Sequence, residues 1–363
     1  MTPLLREELW AGLNTEERGA CREAAFAYYE KACGKRESVD PALIEEWIYH
    51  ALGCGREEVA AREGDNLITF LRENLAYWEA KRNGAWVLAA KQQPLVTGDD
   101  ATFLNQYAKT LYDLGEYKKT IDMLEQALAI NCTCYGQNHP NVAAQLNSLG
   151  MTWNTLGELH KAIAYYEQAL VIWKEVYGEQ HPHLASSLNN LGTVWNALGQ
   201  HQKAITYFLQ ALIIDREIYS ENHPRIASSL NNLGLAWNAL GEHQKAIAYC
   251  EQALVIDRAI YGENHPEVAI RLGNLGKAWT ALGQPKKALD YHEQALIIDR
   301  EFYGENHPDV AKDLNILGAA YFALRQNKKA EKFFQEAYDI RIRFFGPDHP
   351  DTKTVAEWLA KFE

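Results

Sequence analysis

Six histidines of this 363-residue chain share one spacing. His139, His181, His223, His265, His307 and His349 lie 42 residues apart, each followed by proline. Imidazoles in series suggest metal ligation first. Zinc holds its ligands at about 2 Å, whereas equivalent residues of successive helix pairs stand on the order of 10 Å or more apart. The metal reading fails on distance, and no metal or other cofactor is expected. A histidine just ahead of the proline that opens a helix is expected to link and cap instead. His160, His201 and His243 follow a second recurring turn and are expected to face solvent.

Other catalytic patterns are missing. Gly34-Lys35-Arg36 lacks the glycine spacing and the Ser/Thr of a phosphate-binding loop, and His292-Glu293 runs into Gln294-Ala295-Leu296 without a second zinc-binding histidine. Glu167-Gln168, Glu251-Gln252 and Glu293-Gln294 recur in one register, as a solvated helix face does. The chain is therefore expected not to be an enzyme; the remote alternative places a site within residues 1–97.

The 42-residue step extends beyond the histidines. Leu-Gly recurs at 149–150, 191–192, 233–234, 275–276 and 317–318, and residues 182–223 match 224–265 at 31 of 42 positions. The pattern defines six units over 98–349, with residues 1–97 before them and a capping helix at 350–363. Each unit reads as two helices. In the clearest, Pro182 opens a stripe of Leu184, Leu188, Leu191, Trp195 and Leu198, Gly199 ends it, and Ala204, Tyr207, Phe208, Ala211, Leu212 and Ile214 form a second. Small residues at Gly192, Ala204 and Ala211 admit close approach of the two helices. One pair cannot bury its stripes alone, whereas stacked pairs can.

The spacing Leu188-x-x-Leu191-Gly192-x-x-Trp195, followed by Ala204, Phe208 and Ala211, resembles the tetratricopeptide repeat. The 42-residue period and the linker from Tyr261 to Pro266 resemble the long repeats of kinesin light chains. The resemblance implies an all-α, right-handed superhelical solenoid of antiparallel helix pairs, with a concave face lined by the first helices and a protein-binding role as an adaptor or sensor.

In that family, positions two, five, nine and twelve of the first helix line the groove. With Gly192 as position eight, position five is Asn105, Asn147, Asn189, Asn231, Gly273 and Asn315; position twelve is Tyr112, Asn154, Asn196, Asn238, Thr280 and Phe322. Asparagine is a mediocre helix former, so its recurrence there needs a reason. A row of carboxamides can hold an extended peptide by its backbone, or it can form a ladder that bonds one repeat to the next. Both readings stay open, with the groove preferred. The groove's middle is uncharged, while Lys109 lies towards one end and Lys277 and Lys312 towards the other. These would anchor an acidic or aromatic residue of a protein or peptide ligand, or merely keep the surface soluble. Self-association through an end of the array is the structural alternative. The series Trp153, Trp195, Trp237, Trp279 and Tyr321 is expected to pack between helices rather than stack sugars or bases.

Residues 1–97 read as irregular helices at roughly 3–12, 15–33, 41–52, 56–83 (whole, or broken near Gly64) and 85–93, with stops at Gly34, Gly53 and Gly84 and a boundary within Gln92–Asp100. They loosely resemble the helices that precede the repeats in bacterial signal-transduction ATPases. The net charge of −12 is spread over both parts of the chain, which argues against nucleic acid or an anionic membrane as partner. No run approaches the ~18 apolar residues of a membrane span. Six cysteines without CxxC spacing, and no secretory signal, point to free thiols and a cytoplasmic protein.

Overall fold

The computed structural model describes residues 21–28, 30, 41–73, 77–91, 94–347 and 349–362. Every regular element among them is helical. They fall into two compact units that divide between Val176 and Tyr177.

The first unit contains a helical stretch at 21–28, then α1 (Pro41–Gly53), α2 (Glu57–Glu73), α3 (Tyr77–Ala90), α4 (Gly98–Asp113), α5 (Tyr117–Tyr135), α6 (Pro140–Thr155) and α7 (Leu159–Tyr177). Of the expected helix over 56–83, α2 and the start of α3 are described, with residues 74–76 between them outside the described residues; α2 runs unbroken through Gly64. Gly84 does not stop a helix; it lies inside α3, where a Cβ would fall 2.2 Å from the Tyr107 ring of α4. The glycine is a point of close approach. The chain then enters α4 through Thr97, whose hydroxyl accepts the Asp100 N–H while the Asp100 carboxylate accepts the Thr97 N–H. Lys91 also pairs with that carboxylate. Burial alone would raise the Asp100 pKa, but these hydrogen bonds outweigh it and hold it low. The predicted helices at 3–12, most of 15–33 and the Gly34 stop lie outside the described residues.

The second unit contains α8 (Pro182–Ala197) with α9 (His201–Ile218), α10 (Pro224–Ala239) with α11 (His243–Tyr261), α12 (Pro266–Ala281) with α13 (Pro285–Tyr303), α14 (Pro308–Ala323) with α15 (Asn327–Phe345), and α16 (Pro350–Leu359). Within it, α9 packs on α10, α11 on α12, α13 on α14 and α15 on α16. Val355, Trp358, Leu359 and Phe362 close the last pair.

Each repeated histidine caps the helix that follows. The Nδ1 atoms of His181, His223, His265, His307 and His349 accept the N–H two residues on at 3.2 Å, as does that of His139. Their rings stack on the aromatic residue four positions earlier, with centroids 3.9 Å apart for Tyr219 and His223. Proline at the first helical position loses no hydrogen bond there.

Inside five of the pairs, from α6–α7 to α14–α15, a glycine of the first helix meets a buried side chain of the second; in α4–α5 the buried Ala108 holds that position. A Cβ on Gly192 would lie 2.6 Å from Phe208, and one on Gly150 or Gly318 would lie 2.8 Å from Tyr166 or Phe334. Cys250 and His292 take the ring's place against Gly234 and Gly276. Gly192→Ala is therefore expected to overpack the α8–α9 crossing and cost about 1–3 kcal/mol in chemical denaturation. The turns within pairs use glycine at positive φ, as at Gly199 (φ 75°), whereas Arg325 holds φ 59° in the last pair. Arg325→Gly should relieve that strain and raise stability by up to about 1 kcal/mol, seen as a higher melting temperature.

Candidate functional site

The positions that the family resemblance assigns to the groove carry a set of amides whose partners the fold now specifies. In the second unit, the Asn189 Nδ2 donates to the Ser229 Oγ at 2.9 Å, and that hydroxyl donates to the Asp215 Oδ2 at 3.1 Å. Arg225 donates to the Asp215 Oδ1, the Ser186 Oγ and the Pro182 carbonyl. The Asn231 Oδ1 accepts from the Asn274 Nδ2 at 2.8 Å, and the Lys277 Nζ reaches the Asn274 Oδ1 at 3.4 Å. Asn189 and Asn231 thus bond one first helix to the next.

Asn196 and Asn238 behave differently. Their Oδ1 atoms lie 2.7 Å from the Nδ1 of His201 and His243. An amide oxygen only accepts, so each imidazole carries its hydrogen on Nδ1, the opposite tautomer from the capping histidines. These two histidines are half-buried rather than solvent-facing, while His160 is exposed as expected. The contact fixes the amide plane and leaves both Nδ2 hydrogens of Asn196 and of Asn238 without a partner among the described residues.

The cations also differ in their surroundings. Lys277 and Lys312 make no ion pair among the described residues. Desolvation, then repulsion from Lys312, lowers the Lys277 pKa, with Asp313 opposing. In the first unit Lys109 faces Asp65 and Asp113 as well as Arg72, and desolvation leads in lowering its pKa. Burial pushes Asp65 up to about 6 despite Lys109. The lysine there is already opposed by protein carboxylates.

The remaining positions are more deeply built in. The Tyr112 hydroxyl bonds the Thr155 Oγ1 at 2.7 Å. Asn147 and Asn154 are half-buried, and the Oδ1 atoms of Asn105 and Asn315 are buried without a partner among the described residues. Phe322 meets Trp358 and Phe362 edge-on at 5.4 and 5.6 Å, which ties it to the closing helix. Trp153, Trp195, Trp237 and Trp279 are half-buried between helices, and a lysine of the protein covers each ring, Lys203 at 3.3 Å from the Trp195 centroid. That face is closed to a stacking ligand.

One set of polar residues was missed by the sequence reading. Asp215, Asp257 and Asp299 recur at the 42-residue step on the second helices and are buried. Arg271 reaches Asp257 at 2.7 Å, both buried, as Arg225 reaches Asp215 at 3.0 Å. The signal was present in the repeated Asp-Arg pairs at 215–216, 257–258 and 299–300, but an acid on a helix reads as solvated.

Sequence models of the tetratricopeptide repeat match residues 101–141 and, in overlapping stretches, 144–343. The chain belongs to the tetratricopeptide repeat family. Its repeat is of the long, kinesin-light-chain-like kind. BtubC (BKLC) from P. vanneervenii is 25% identical over 66% of this chain and 93% of its own, with a TM-score of 0.52. The apo quorum sensor NprR from B. thuringiensis is 14% identical, with a TM-score of 0.63 over 93% of this chain and 91% of its own. A signal-transduction ATPase with a tetratricopeptide repeat sensor, from Pyrococcus horikoshii, is 18% identical, with a TM-score of 0.57 over 96% of this chain and 50% of its own. The last two likenesses are of fold alone. No curated protein matches the chain.

Among the described residues no group of three or more His, Cys, Asp or Glu could hold a metal ion, and no helix is long and apolar enough to cross a membrane. His292, buried against Gly276, is held neutral: burial, then Lys277, lowers its pKa to about 4. The unfolded chain binds that proton at about 6.5. Stability is therefore complete above about 6.5 and falls as pH drops towards 4. His292→Phe, which copies the Phe208 and Phe334 arrangement, should reduce the fall in melting temperature between about pH 7 and 5.

Proposed function

We propose that the chain is a non-catalytic recognition module, the adaptor or sensor part of a signalling system, that holds an extended peptide along the first helices of its second unit. Repeat arrays of this family are in general interaction modules, and the solved quorum sensor and the ATPase's repeat sensor share the fold. The observation that carries the reading is the pair Asn196 and Asn238, each clamped through Oδ1 by a histidine so that its Nδ2 donors are left over. Donors held in place in advance cost little to order when a backbone carbonyl arrives. Lys277 and Lys312, which make no ion pair among the described residues, favour a ligand with an acidic residue at that end. Asn189 and Asn231 serve chiefly as the amide ladder and support the groove wall.

An extended-peptide display library panned on the wild-type protein tests this. Selected peptides should be rich in Asp or Glu and bind less tightly as salt rises. Asn196→Ala with Asn238→Ala removes two sets of donors and should weaken them roughly tenfold, at about 0.5–1.5 kcal/mol per hydrogen bond. Lys277→Glu with Lys312→Glu should weaken them as well and abolish the salt dependence. Peptides that bind both folded variants as tightly as wild type would move recognition away from this face.

A further inference from the structure

Three consecutive joints of the second unit share one design up to a point. In each, an aspartate on the second helix of a pair is buried against the first helix of the next: Asp215 of α9 against α10, Asp257 of α11 against α12, and Asp299 of α13 against α14. Arg225 neutralises the first and Arg271 the second. At the third joint the residues aligned with these arginines are Asp309 and Asp313. No arginine arrives: Asp313 stands where Arg271 does, its carboxyl lies close to that of Asp299, and the Asp299 Oδ1 and Asp313 Oδ2 atoms are both buried. A carboxylate cannot donate, so the two can hydrogen-bond each other only while one of them keeps its hydrogen.

We propose that the α13–α14 joint is locked by a proton shared between Asp299 and Asp313, which does the work of the arginine at the two preceding joints and makes this joint the one that loosens as pH rises. The charged neighbours fit a lock of this kind. On the α14 side, Asp309 disfavours a second negative charge, while Lys312 and His307 favour it; His307 lies 3.4 Å from Asp309. From α12, Lys277 faces Asp313, and Glu267 lies towards Tyr303 at the end of α13. None of these cations forms an ion pair with Asp299 or Asp313 comparable to that of Arg271 with Asp257. Asp299 Oδ1 and Asp313 Oδ2 are buried and receive no hydrogen bond from any donor among the described residues, so no other donor could hold the pair once the shared hydrogen leaves. Packing of α13 on α14 is also sparser than at the two joints before it.

Burial, followed by the neighbouring carboxyl, pushes Asp313 up to about 8, and burial also raises Asp299. In the unfolded chain both ionise near 3.8. A group whose folded pKa is raised stabilises fully only below its unfolded value, and its contribution disappears as pH rises through the folded one. The joint is therefore tight in mild acid and loses its bond above about pH 8.

The test is thermal unfolding of the full chain between about pH 6 and 9, together with amide hydrogen exchange corrected for its intrinsic pH dependence. Wild type should lose about 5 °C across this range, with protection falling in α13 and α14 while α11 keeps its own. Asp313→Asn keeps a donor to Asp299 at every pH and should flatten the alkaline limb. Asp313→Arg, which rebuilds the Asp257–Arg271 pair, should flatten it too and raise the melting temperature at pH 8. Thiols, tyrosines and lysines elsewhere titrate alike in all three proteins, so the difference between profiles reports the pair. Parallel wild-type and Asp313→Asn profiles, or alkaline loss of protection spread evenly over the unit, would overturn the proposal.

Discussion

The architecture depends on how closely two helices cross within a pair. At Gly150, Gly192, Gly234, Gly276 and Gly318 there is no room for a Cβ, because a side chain of the partner helix occupies the space. That contact sets the spacing inside each pair, and the spacing sets where the apolar stripes emerge for the next pair to cover. The ring itself is negotiable: tyrosine, phenylalanine, cysteine and histidine all occur opposite the glycine. The glycine is not. Substituting His292 at this site buries a titratable group without changing the geometry, which makes the core of that pair sensitive to acid.

Between pairs the constraint is looser and more polar. Within the second unit leucines and isoleucines supply the area, and each joint also buries a charged residue: Asp215, Asp257, Asp299 or Arg341. Burying a carboxylate is costly unless it is neutralised, and successive joints solve this in different ways. Arg225 reaches across the joint to two helices at once, Arg271 is itself buried, and Asp313 shares a hydrogen with Asp299. Where an arginine takes the aspartate's place, at Arg341, it donates to the Asp351 carbonyl at the start of the closing helix. Stability summed over nearest neighbours therefore varies from joint to joint.

The polar positions proposed for recognition are what these two constraints leave over. Asparagines look alike along the sequence, yet the fold divides them: Asn189 and Asn231 bridge first helices, while Asn196 and Asn238 are clamped within their own pairs. In the second kind a histidine holds the amide through Oδ1 and both Nδ2 hydrogens are left over. Histidine likewise serves two purposes with two tautomers, accepting through Nδ1 at the helix starts and donating through Nδ1 to the clamped amides.

Much of this was legible in the residues. The helix pairs, the caps at His-Pro, the small residues at the crossing and the family follow from local pattern, because a fixed period, a proline and an apolar stripe each act within one or two turns of chain. The helices before residue 98 were read less well. Gly84 looked like a stop, since sequence shows a glycine's freedom but not the Tyr107 ring that demands it. The amides and aspartates were hidden for the same reason. Whether Asn189 faces a ligand or Ser229, and whether Asp299 meets water, an arginine or another acid, depends on residues 40 and 14 positions away. Sequence by itself determined the elements and their repetition, which are local matters of propensity and period. Only the tertiary structure decided the partner of each polar group, because hydrogen bonding and desolvation are set by neighbours in space.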